Sequence, residues 1–328
     1  MEINALFEKF KSKRIAIIGD VMLDAYIIGS VTRISPEAPV PIVGLSKKEN
    51  RLGGAANVAL NIVSLGAEAI ICSVIGQDLE GNELVEILEK EGVSYKGLVQ
   101  SSNRKTTVKT RIIGNNQQLL RVDSEQTNNI SQEEEEKLIL KVKELMEGGI
   151  DAIIFEDYNK GVLTPYIIEQ ILNLSKLHNI PTTVDPKKDN FFAYKGVTLF
   201  KPNLKELKEG LNVSFSIQDK IAFEEAVAQL ESILNNKNTF ITLSEHGVFI
   251  KSSSTKHYIS AHIRTIADVS GAGDTVISVA TLCLTVGLPI DEIAAYANLA
   301  GGLVCEKSGV VSIEKEQLIA EIRLLEKS

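Results

Sequence analysis

Short apolar runs alternate with longer amphipathic stretches along most of this 328-residue chain. Residues 14–18 and 69–75 have the continuous apolar character of buried strands, and a helical stretch from Gly53 to about Leu65 separates them. The same order returns in the second half, with apolar runs at 151–155, 180–184, 197–200 and 239–243. Because alternating strands and helices build a parallel sheet covered on both faces, the pattern predicts an α/β fold.

Two segments depart from this alternation. Residues 30–45 contain three prolines among β-branched residues, which favours an edge strand or a projecting flap. Residues 105–123 alternate in character on both sides of Gly114, as in a β-hairpin. We therefore expect a small antiparallel sheet, from about 25–50 and 100–124, that covers a ligand as a lid or joins two chains as a homodimer.

The bulk composition limits the class of protein. No repeat, low-complexity tract or long linker interrupts the chain, so residues 1–328 are expected to form one domain. A net charge of −8 argues against nucleic-acid and anionic-membrane partners. Three cysteines without paired spacing, and the lack of a signal peptide or membrane-length apolar segment, predict reduced thiols and a cytoplasmic location.

The glycine-rich stretch DVSGAGDT at 268–275 precedes an apolar run at 276–284 that is typical of a buried helix. Glycine lets a backbone approach a ligand closely, and the unpaired N–H groups of a helix start favour an anion. A carboxylate at Asp274 beside such an anion site suits a base that takes a proton from a hydroxyl attacking a phosphate. The alternative is an ordinary loop in which Asp274 caps the helix, and these residues alone leave both interpretations open.

Charged side chains follow several predicted strands. Asp20 comes directly after the first strand, and Asp24 lies in the loop expected after it. In open α/β sheets, ligands bind beyond the carboxyl ends of the strands. Three later strands end in further charged or amide residues: Glu156 with Asp157, Asp185 with Lys187, and Lys201 with Asn203.

Three motifs resemble signatures of the ribokinase-like (PfkB) family of carbohydrate kinases. DVSGAGDT at 268–275 resembles its C-terminal signature, GGAANVA at 53–59 its N-terminal signature, and NLKE at 203–206 its Asn-x-x-Glu motif. They occur in the family's order over nearly the whole chain. The resemblance implies a ribokinase-like three-layer α/β/α sandwich, with a mostly parallel central sheet and a small projecting β-sheet lid. It also implies a sugar kinase that uses ATP and Mg²⁺.

Further stretches resemble one branch of that family, the kinases of D-glycero-β-D-manno-heptose 7-phosphate. They are GDVMLD at 19–24, RISPEAPVP at 33–41, NQQLLR at 116–121 and DYNKG at 157–161. That branch phosphorylates the 1-hydroxyl, giving the 1,7-bisphosphate on the route to ADP-heptose. Many of its members carry a nucleotidyltransferase domain after the kinase. This chain ends at Ser328, so we expect that activity to be absent. Ser270 stands where the branch often has threonine, and both residues supply a hydroxyl.

The resemblance assigns the catalytic role to the glycine-rich stretch. Asp274 would take the proton from the sugar hydroxyl. The backbone N–H groups of Gly271, Ala272 and Gly273 would hold the γ-phosphoryl group as charge develops.

The resemblance also assigns the nucleotide side. Asn203 and Glu206 would serve the Mg²⁺–nucleotide phosphates, Glu206 through water, although the same spacing fits a helix capping box. The other implied contacts are Lys187 for a phosphate, Ser244 and Gly247 for the ribose region, and Asn298 near the adenine. A solvated lysine and an interhelical hydrogen bond are the alternatives at Lys187 and Asn298. The family often holds a monovalent cation, such as K⁺, near the loops around Asp268 and Ser308.

For the sugar, the resemblance implies hydroxyl-reading positions at Asp20, Asp24, Gly53, Gly54 and Asn57. Carboxylate and amide groups suit vicinal diols, although Asp24 in a turn cap is an alternative. Four basic residues are candidates for the substrate's distal phosphate: Lys109, Arg111, Arg121 and Lys160. Lys109 and Arg111 share one strand face, which equally suits solvent exposure.

Two rival functions remain open at this stage. One is a kinase of another sugar or sugar acid, such as ribose, fructose or 2-keto-3-deoxygluconate, for which a distal-phosphate clamp would be irrelevant. The other is a non-catalytic nucleotide or sugar sensor, against which the intact stretch 271–274 argues. The fold alone does not decide between them, because one scaffold hosts many chemistries.

Overall fold

The computed structural model describes residues 2–262 and 264–325, so the outermost residues of the expected domain 1–328 lie outside the described part. The strands in these ranges are β1 (Arg14–Gly19), β2 (Val21–Ile34), β3 (Pro41–Gly54), β4 (Glu68–Gly76), β5 (Ser94–Ser101), β6 (Thr107–Gly114), β7 (Gln117–Ser124), β8 (Ala152–Glu156), β9 (Thr182–Asp185), β10 (Leu199–Phe200), β11 (Asn238–Thr242), β12 (Val248–Ser252) and β13 (Thr255–Ile259). The helices are α1 (Ile3–Phe10), α2 (Ala55–Ser64), α3 (Leu79–Lys90), α4 (Gln132–Glu147), α5 (Pro165–Leu177), α6 (Leu204–Leu211), α7 (Lys220–Leu234), α8 (Ala272–Thr285), α9 (Ile290–Cys305) and α10 (Lys315–Leu325).

A central sheet contains nine of the described strands, in the order β13-β12-β11-β10-β9-β8-β1-β4-β5. The strands from β11 to β5 are parallel, and the hairpin of β12 and β13 adds two antiparallel strands at one edge. Parallel neighbours require crossover connections, which helices provide in much of this fold. As a result, the carboxyl ends of β1, β8, β9 and β10 meet at one edge of the sheet.

Helices cover both faces of this sheet. Ile15 and Ile17 of β1 belong to the core that includes α2, α8 and α9, whereas Ala16 and Ile18 belong to the opposite core with α4, α5 and α7. This division follows from the side-chain period of two and explains why the whole strand is apolar. The predicted ribokinase-like α/β sandwich with its central sheet is confirmed.

The other four strands form a separate sheet, in the order β3-β2-β6-β7, which we call the lid. Strands β2 and β3 together span residues 21–54, more than the expected 25–50. Pro36 and Pro39 lie in their connection, and Pro41 begins β3, where a missing N–H is tolerated. Strand β2 pairs with β6 in parallel, so the lid is a mixed sheet rather than a purely antiparallel one.

Two strands differ from the sequence expectation. Asp24 lies within β2 instead of a loop, because the chain passes almost directly from β1 into the lid. Strand β5 has no counterpart in the apolar pattern, since its sequence SYKGLVQS is largely polar and contains Gly97; pairing with β4 holds it in the sheet. Because β5 belongs to the central sheet, the second lid segment is 107–124 rather than 100–124.

Helix starts follow their sequence signals. Ser131 and Glu134 form a capping box at the start of α4, and Pro165 opens α5 after Thr164. The first turn of α4 is acidic, but not all of its carboxylates face solvent. Glu134 is buried because its carboxylate turns back to the N–H of Ser131, at 2.7 Å.

The three cysteines, Cys72, Cys283 and Cys305, are buried free thiols, as the sequence predicts. Burial raises the pKa of Cys72 to about 12, so this thiol stays protonated at neutral pH. Within the described ranges, none of the helices has both the length and the apolar character needed to cross a bilayer.

Candidate active site

The parallel sheet gathers charged side chains at one edge. Glu156 ends β8 and is in register with Gly19 of β1 on one side and with Asp185 of β9 on the other. Asp20 directly follows β1, and Lys201 directly follows β10. All four charged residues are buried. Neighbouring parallel strands therefore concentrate buried charge in one small region.

Helix α8 begins at the same place. Gly271 has a φ of 81°, a left-handed conformation that suits glycine, and the helix starts at Ala272. A Cβ at Gly273 would lie 3.3 Å from Oδ2 of Asp185 and 3.6 Å from Nζ of Lys201. The first-turn N–H groups therefore lie near a buried ammonium group, which makes the helix start favourable for an anion.

Asp274, the third residue of α8, is held by two hydrogen bonds. Its Oδ2 accepts a hydrogen bond from Nδ2 of Asn57 at 2.6 Å, and its Oδ1 accepts one from the hydroxyl of Tyr158 at 2.9 Å. Among the described residues no side chain caps α8, so the capping interpretation of Asp274 is wrong. The two donors instead orient a buried carboxylate at the helix start.

The surroundings shift the pKa of Asp274 toward neutral pH. Burial raises its pKa to about 6; the negative charge of Asp185 adds to this rise, whereas the bonds from Asn57 and Tyr158 oppose it. Burial and the nearby Asp274 carboxylate raise the pKa of Tyr158 well above its ordinary value, so its hydroxyl keeps its proton. A carboxylate with a pKa close to the working pH is an effective general base.

Two lysines neutralise part of the acidic charge. Nζ of Lys201, a buried residue, lies 2.8 Å from Oδ2 of Asp185. Nζ of Lys187 lies 2.8 Å from Oε1 of Glu206 and 3.8 Å from Oδ1 of Asp185. Although burial opposes it, the charges of Asp185 and Glu206 raise the pKa of Lys187. Lys187 is therefore part of an ion-pair network and not a solvated lysine.

Asn203 and Glu206 form the capping box at the start of α6. Oδ1 of Asn203 accepts the N–H of Glu206, and Oε2 of Glu206 accepts the N–H of Asn203, both at 2.8 Å. The capping-box interpretation is therefore correct. It does not exclude a role of Glu206 in binding the Mg²⁺–nucleotide phosphates, since a carboxylate has about four lone-pair sites. Oxygen donors of this kind fit a Mg²⁺ ion held through water.

The three remaining nucleotide-side candidates come together near the β12–β13 hairpin. Ser244 and Gly247 lie in the turn between β11 and β12. Gly247 has a φ of 87°, and a Cβ there would lie 2.0 Å from the carbonyl oxygen of Ile259, so the turn requires glycine. Asn298 of α9 donates to the carbonyl of Ser260 at 2.9 Å. This is a bond from a helix to a loop, not the interhelical bond considered from sequence.

Asp20 and Asn57 differ in how much of their hydrogen-bonding capacity is already used within the protein. The carboxylate of Asp20 accepts three backbone N–H bonds from the loop 158–162, at 3.0–3.1 Å, and so fixes that loop. Asn57 donates to Asp274, whereas its Oδ1 is buried and lacks a hydrogen-bond partner among the described residues. An unpaired acceptor beside Asp274 fits a ligand hydroxyl.

The glycine pair Gly53–Gly54 is required by close packing of the lid near the sheet edge. A Cβ at Gly53 would lie 2.5 Å from Oδ2 of Asp24. Gly54 has a φ of 60°, and a Cβ there would lie 2.4 Å from the carbonyl oxygen of Asp20. Direct contacts between these glycines and a sugar stay a prediction.

The guanidinium group of Arg111 pairs with a buried carboxylate of the lid. Its Nη1 hydrogen-bonds Oδ1 of Asp24, a residue only 4% exposed. The guanidinium groups of Arg111 and Arg51 lie 5.4 Å and 4.9 Å from the ring centroid of Tyr26. Arg51 and Tyr26 were not among the residues singled out by sequence reasoning. Asp24 therefore sits in an ion pair on a strand and does not cap a turn.

The other three basic candidates share two carboxylates, Asp123 of β7 and Glu125 just after that strand. Nζ of Lys109 lies 3.3 Å from both Asp123 and Glu125. Lys160 pairs with Glu125 at 2.7 Å, and Arg121 pairs with Asp123 at 2.8 Å. A phosphate binding here would replace these carboxylates as the partner of the cations.

Sequence reasoning missed part of the cluster around Asp274. Glu156, Asp185 and Lys201 stood at recognised strand ends, but no sequence signal paired them with one another. Tyr158 lies in the quoted stretch DYNKG, yet its bond to Asp274 joins residues far apart in the chain. The usable signal was the rule that strand ends in such sheets surround the ligand.

The two loops linked to a monovalent cation lie side by side. Oδ2 of Asp268 accepts the N–H of Gly309 at 3.1 Å, and its Oδ1 accepts the N–H of Ser270 at 2.9 Å. Gly309 directly follows Ser308. A bound K⁺ at this junction stays a prediction.

The parallel sheet, the helix start facing its edge and the tuned carboxylate together define a ribokinase-like phosphotransferase site. The profile of the pfkB family carbohydrate kinases matches residues 12–317, and the chain belongs to this family. It is accordingly a phosphotransferase that acts on a sugar hydroxyl. The resemblance found in the sequence motifs is confirmed.

Named relatives cover almost the whole chain. It is 37% identical over 324 residues to the bifunctional protein HldE of Trichlorobacter lovleyi, an alignment that covers 98% of this chain and 65% of that protein. It is 39% identical over 323 residues to the bifunctional protein HldE of Geotalea uraniireducens, with the same coverage. The chain thus spans 65% of the length of these relatives.

Solved structures share the fold at low identity. Phosphofructokinase-2 from Escherichia coli in complex with potassium superposes with a TM-score of 0.77 at 19% identity, covering 95% of this chain and 99% of that one. Arabidopsis thaliana ribokinase complexed with ribose and ATP gives a TM-score of 0.71 at 15% identity, covering 95% and 98%. These likenesses establish the fold.

We expect Gly53→Ala to weaken sugar binding, because the new Cβ must displace the carboxylate of Asp24 from its bond to Arg111. A hydrogen bond from a sugar hydroxyl to the Asp24 carboxylate would contribute about 1.5–3 kcal/mol, so its loss should raise the KM for the sugar roughly 10–100-fold. The KM for ATP should change little. Steady-state kinetics measures both.

Gly44→Ala is the matched control on the same strand, because the nearest atom to its Cβ would lie 3.6 Å away. Equal effects of the two substitutions on the sugar KM would contradict the assignment of Asp24 to the sugar side.

Proposed function

We propose that this chain transfers the γ-phosphoryl group of ATP to the 1-hydroxyl of D-glycero-β-D-manno-heptose 7-phosphate, forming the 1,7-bisphosphate used for ADP-heptose. Relatives named HldE, which combine a heptose kinase with an adenylyltransferase, support the choice of sugar. The observation that carries the chemistry is the pair of bonds from Asn57 and Tyr158 to Asp274 at the start of α8.

The chain's own groups divide the reaction among them. Asp274 accepts the proton of the attacking hydroxyl, while Asn57 and Tyr158 keep its carboxylate in one orientation. The N–H groups of the 271–273 turn hold the phosphoryl oxygens, and Lys201 places a positive charge beside them. The protein thus contributes mainly positioning and charge, which is what phosphoryl transfer requires.

Mg²⁺ would arrive with the nucleotide. Glu206, with Asn203 beside it, would hold the ion through water, and Lys187 would face a phosphate oxygen. When bound, Mg²⁺ neutralises phosphate charge. The residues fit a hydrated Mg²⁺ ion because carboxylate and amide oxygens have further lone pairs that can accept hydrogen bonds from its water ligands. K⁺ beside Asp268 and the loop at Gly309 belongs to the same proposal.

For the distal phosphate, the lysines near Glu125 are better candidates than Arg111. Asp24 is 4% exposed, and withdrawing Arg111 from it would leave a buried charge unpaired, at a large cost. Glu125 is less buried than Asp24, so Lys109 and Lys160 can exchange it for a phosphate at a lower cost than Arg111 can exchange Asp24. We therefore place the 7-phosphate beside these two lysines.

A kinase of another sugar is the alternative from the same class. The ion pairs of Lys109 and Lys160 are compatible with a purely structural role, as such an enzyme would require. A sensor without catalysis is disfavoured by the tuned pKa of Asp274.

A homodimer through the lid also belongs to the proposal. The lid and its β2–β3 connection expose large apolar side chains: Ile34, Val40, Leu45, Leu119, Leu120 and Val122. Exposed apolar clusters of this kind mark interaction surfaces. ATP dependence and the buried free thiols support a location in the cytoplasm.

We expect Asp274→Asn to lower kcat by about 10²–10⁴-fold with heptose 7-phosphate, because the amide cannot accept the proton. In the wild type, kcat/KM should fall about tenfold per pH unit below about pH 6, since only the ionised form of Asp274, whose pKa is raised to about 6, acts as a base. A coupled assay of ADP release measures both. Undiminished turnover by the variant would overturn the assignment.

We expect the same assay, run over heptose 7-phosphate, ribose, fructose and 2-keto-3-deoxygluconate, to favour the sugar phosphate. Lys160→Met should raise the KM for heptose 7-phosphate roughly 10–100-fold, because a charged hydrogen bond contributes about 1.5–3 kcal/mol, and should leave neutral sugars unaffected. Lys47→Met, at an exposed lid lysine, is the control. Saturation by a neutral sugar, with no effect of Lys160→Met, would favour the rival kinase.

We expect the chain to sediment at twice its 35.8 kDa mass and Leu120→Lys, at an exposed apolar residue of the edge strand β7, to shift it toward the monomer. Leu177→Lys, at an exposed leucine at the end of α5, is the control. A wild-type monomer at micromolar concentration would refute the dimer.

A further inference from the structure

Arg104 is a buried arginine in the connection between β5 and β6. It is only 9% exposed, yet it forms no salt bridge with a described carboxylate, and the charges of Asp20 and Glu134 act on it without a direct hydrogen bond. Removing a guanidinium group from water is costly unless hydrogen bonds satisfy its donors. The groups that Arg104 binds must therefore explain why a charge is kept at this position.

The guanidinium group of Arg104 donates to three backbone carbonyls in two separate segments. Nη1 donates to the carbonyl of Asn128 at 3.1 Å, and Nη2 donates to that of Gln126 at 3.2 Å. Nη2 also donates to the carbonyl of Lys160. The first two carbonyls follow the lid strand β7, whereas the third lies in the loop 158–162. An arginine suits this task, because its donors form a planar fork of fixed geometry.

The loop 158–162 is held from both sides. On its N–H side the carboxylate of Asp20 accepts three bonds, and on its carbonyl side Arg104 donates one. The packing is also close, since a Cβ at Gly161 would lie 2.1 Å from the carbonyl oxygen of Asn128. Two buried groups of opposite charge thus fix one short loop.

The loop carries Tyr158, whose hydroxyl donates to Asp274 at 2.9 Å. We propose that Arg104 is a positioning residue for Asp274: it fixes the loop 158–162 and thereby keeps the hydroxyl of Tyr158 directed at the carboxylate. Arg104 has no bond to Asp274 and acts through the loop. This inference rests on the proposed role of Asp274 as the base, and it does not depend on which sugar the kinase uses.

The other charged groups around Asp274 do not belong to this loop. They are Glu156 at the end of β8, Asp185 at the end of β9 and Lys201 directly after β10. The parallel ladder of the central sheet holds these strand ends in place. A change at Arg104 should therefore alter the surroundings of Asp274 only through the loop.

The test compares the pH dependence of kcat/KM in the wild type and in Arg104→Met, with heptose 7-phosphate or, where the substrate panel favours another sugar, with that sugar. Burial raises the pKa of Asp274 to about 6, and the bond from Tyr158 opposes this rise. Loss of that bond should raise the pKa further, so the acid limb of the profile should move to higher pH by roughly one unit.

Hydrogen exchange of the amides in the loop 158–162 gives a second measurement that needs no activity. Exchange should be at least about tenfold faster in Arg104→Met, because a loop with fewer bonds opens more easily. An acid limb or a loop exchange rate equal to that of the wild type would overturn the proposal.

Tyr158→Phe identifies the route of the effect. This substitution alone should move the acid limb in the same direction, because it removes the same bond to Asp274. Adding Arg104→Met should then move the limb little further, since both changes act on one interaction. A full additional shift in the double variant would show that Arg104 acts by another route, against the proposal.

Arg14→Met is the matched control. Nη1 of Arg14 also donates to backbone carbonyls, those of Gly148 and Gly149 at 2.6 Å, but at the start of β1, the end of the strand away from Asp20. The control should lower the melting temperature without moving the acid limb. An equal shift in Arg14→Met would assign the effect to general loosening and refute the positioning role.

A milder variant keeps the test decisive. Should Arg104→Met fail to fold, Arg104→Lys retains the charge but lacks the fork that reaches three carbonyls, so a smaller shift in the same direction is expected. A wild-type profile in a folded Arg104→Lys would overturn the proposal.

Failure of this inference can be told apart from failure of the proposed mechanism. A wild type without an acid limb near pH 6 would refute Asp274 as the base, and the positioning role with it. An acid limb that is present in the wild type and stays in place in Arg104→Met would refute the positioning role alone.

Discussion

The convergence of parallel strands on one sheet edge is the constraint on which the rest of the site depends. Strands β1, β8, β9 and β10 run in the same direction in adjacent positions, so their carboxyl ends cannot separate. Each delivers a charged side chain to the same region: Asp20, Glu156, Asp185 and Lys201. Helix α8 places its N-terminus against that region, which adds backbone N–H groups to the buried charges.

The orientation of Asp274 depends on the loop after β8. Asp20 uses its carboxylate to bind three N–H groups of the loop 158–162, and that loop carries Tyr158, which donates to Asp274. Asn57 approaches from α2 and donates to the other oxygen. Asp20 thus acts on Asp274 without touching it. The backbone bonds that Asp20 accepts hold Tyr158 in place, and they give a structural reason for a carboxylate at this position.

Local patterns in the sequence predicted the layers and the lid. They did not predict which residues far apart in the chain pair with one another. Apolar runs such as 14–18 fix strand type because both faces of the sheet are covered. The apolar pattern does not predict the polar strand β5, because only its pairing with β4 makes it a strand. In the site, the glycine-rich stretch indicated the location of Asp274. Its bond to Tyr158 and the pair of Lys201 with Asp185 depend on strand order, which no local pattern encodes.

The charge balance of the site explains why its nucleotide ligand must bring a cation. Four carboxylates lie in the network, Glu156, Asp185, Glu206 and Asp274, against two ammonium groups, Lys187 and Lys201. Burial raises the pKa of Glu156 well above its ordinary value, but even with this group protonated the other three carboxylates outnumber the two ammonium groups. A bare polyphosphate approaching this network would be repelled, despite the helix start that faces it. A cation carried by the nucleotide reverses that balance, so metal and phosphate are recognised together.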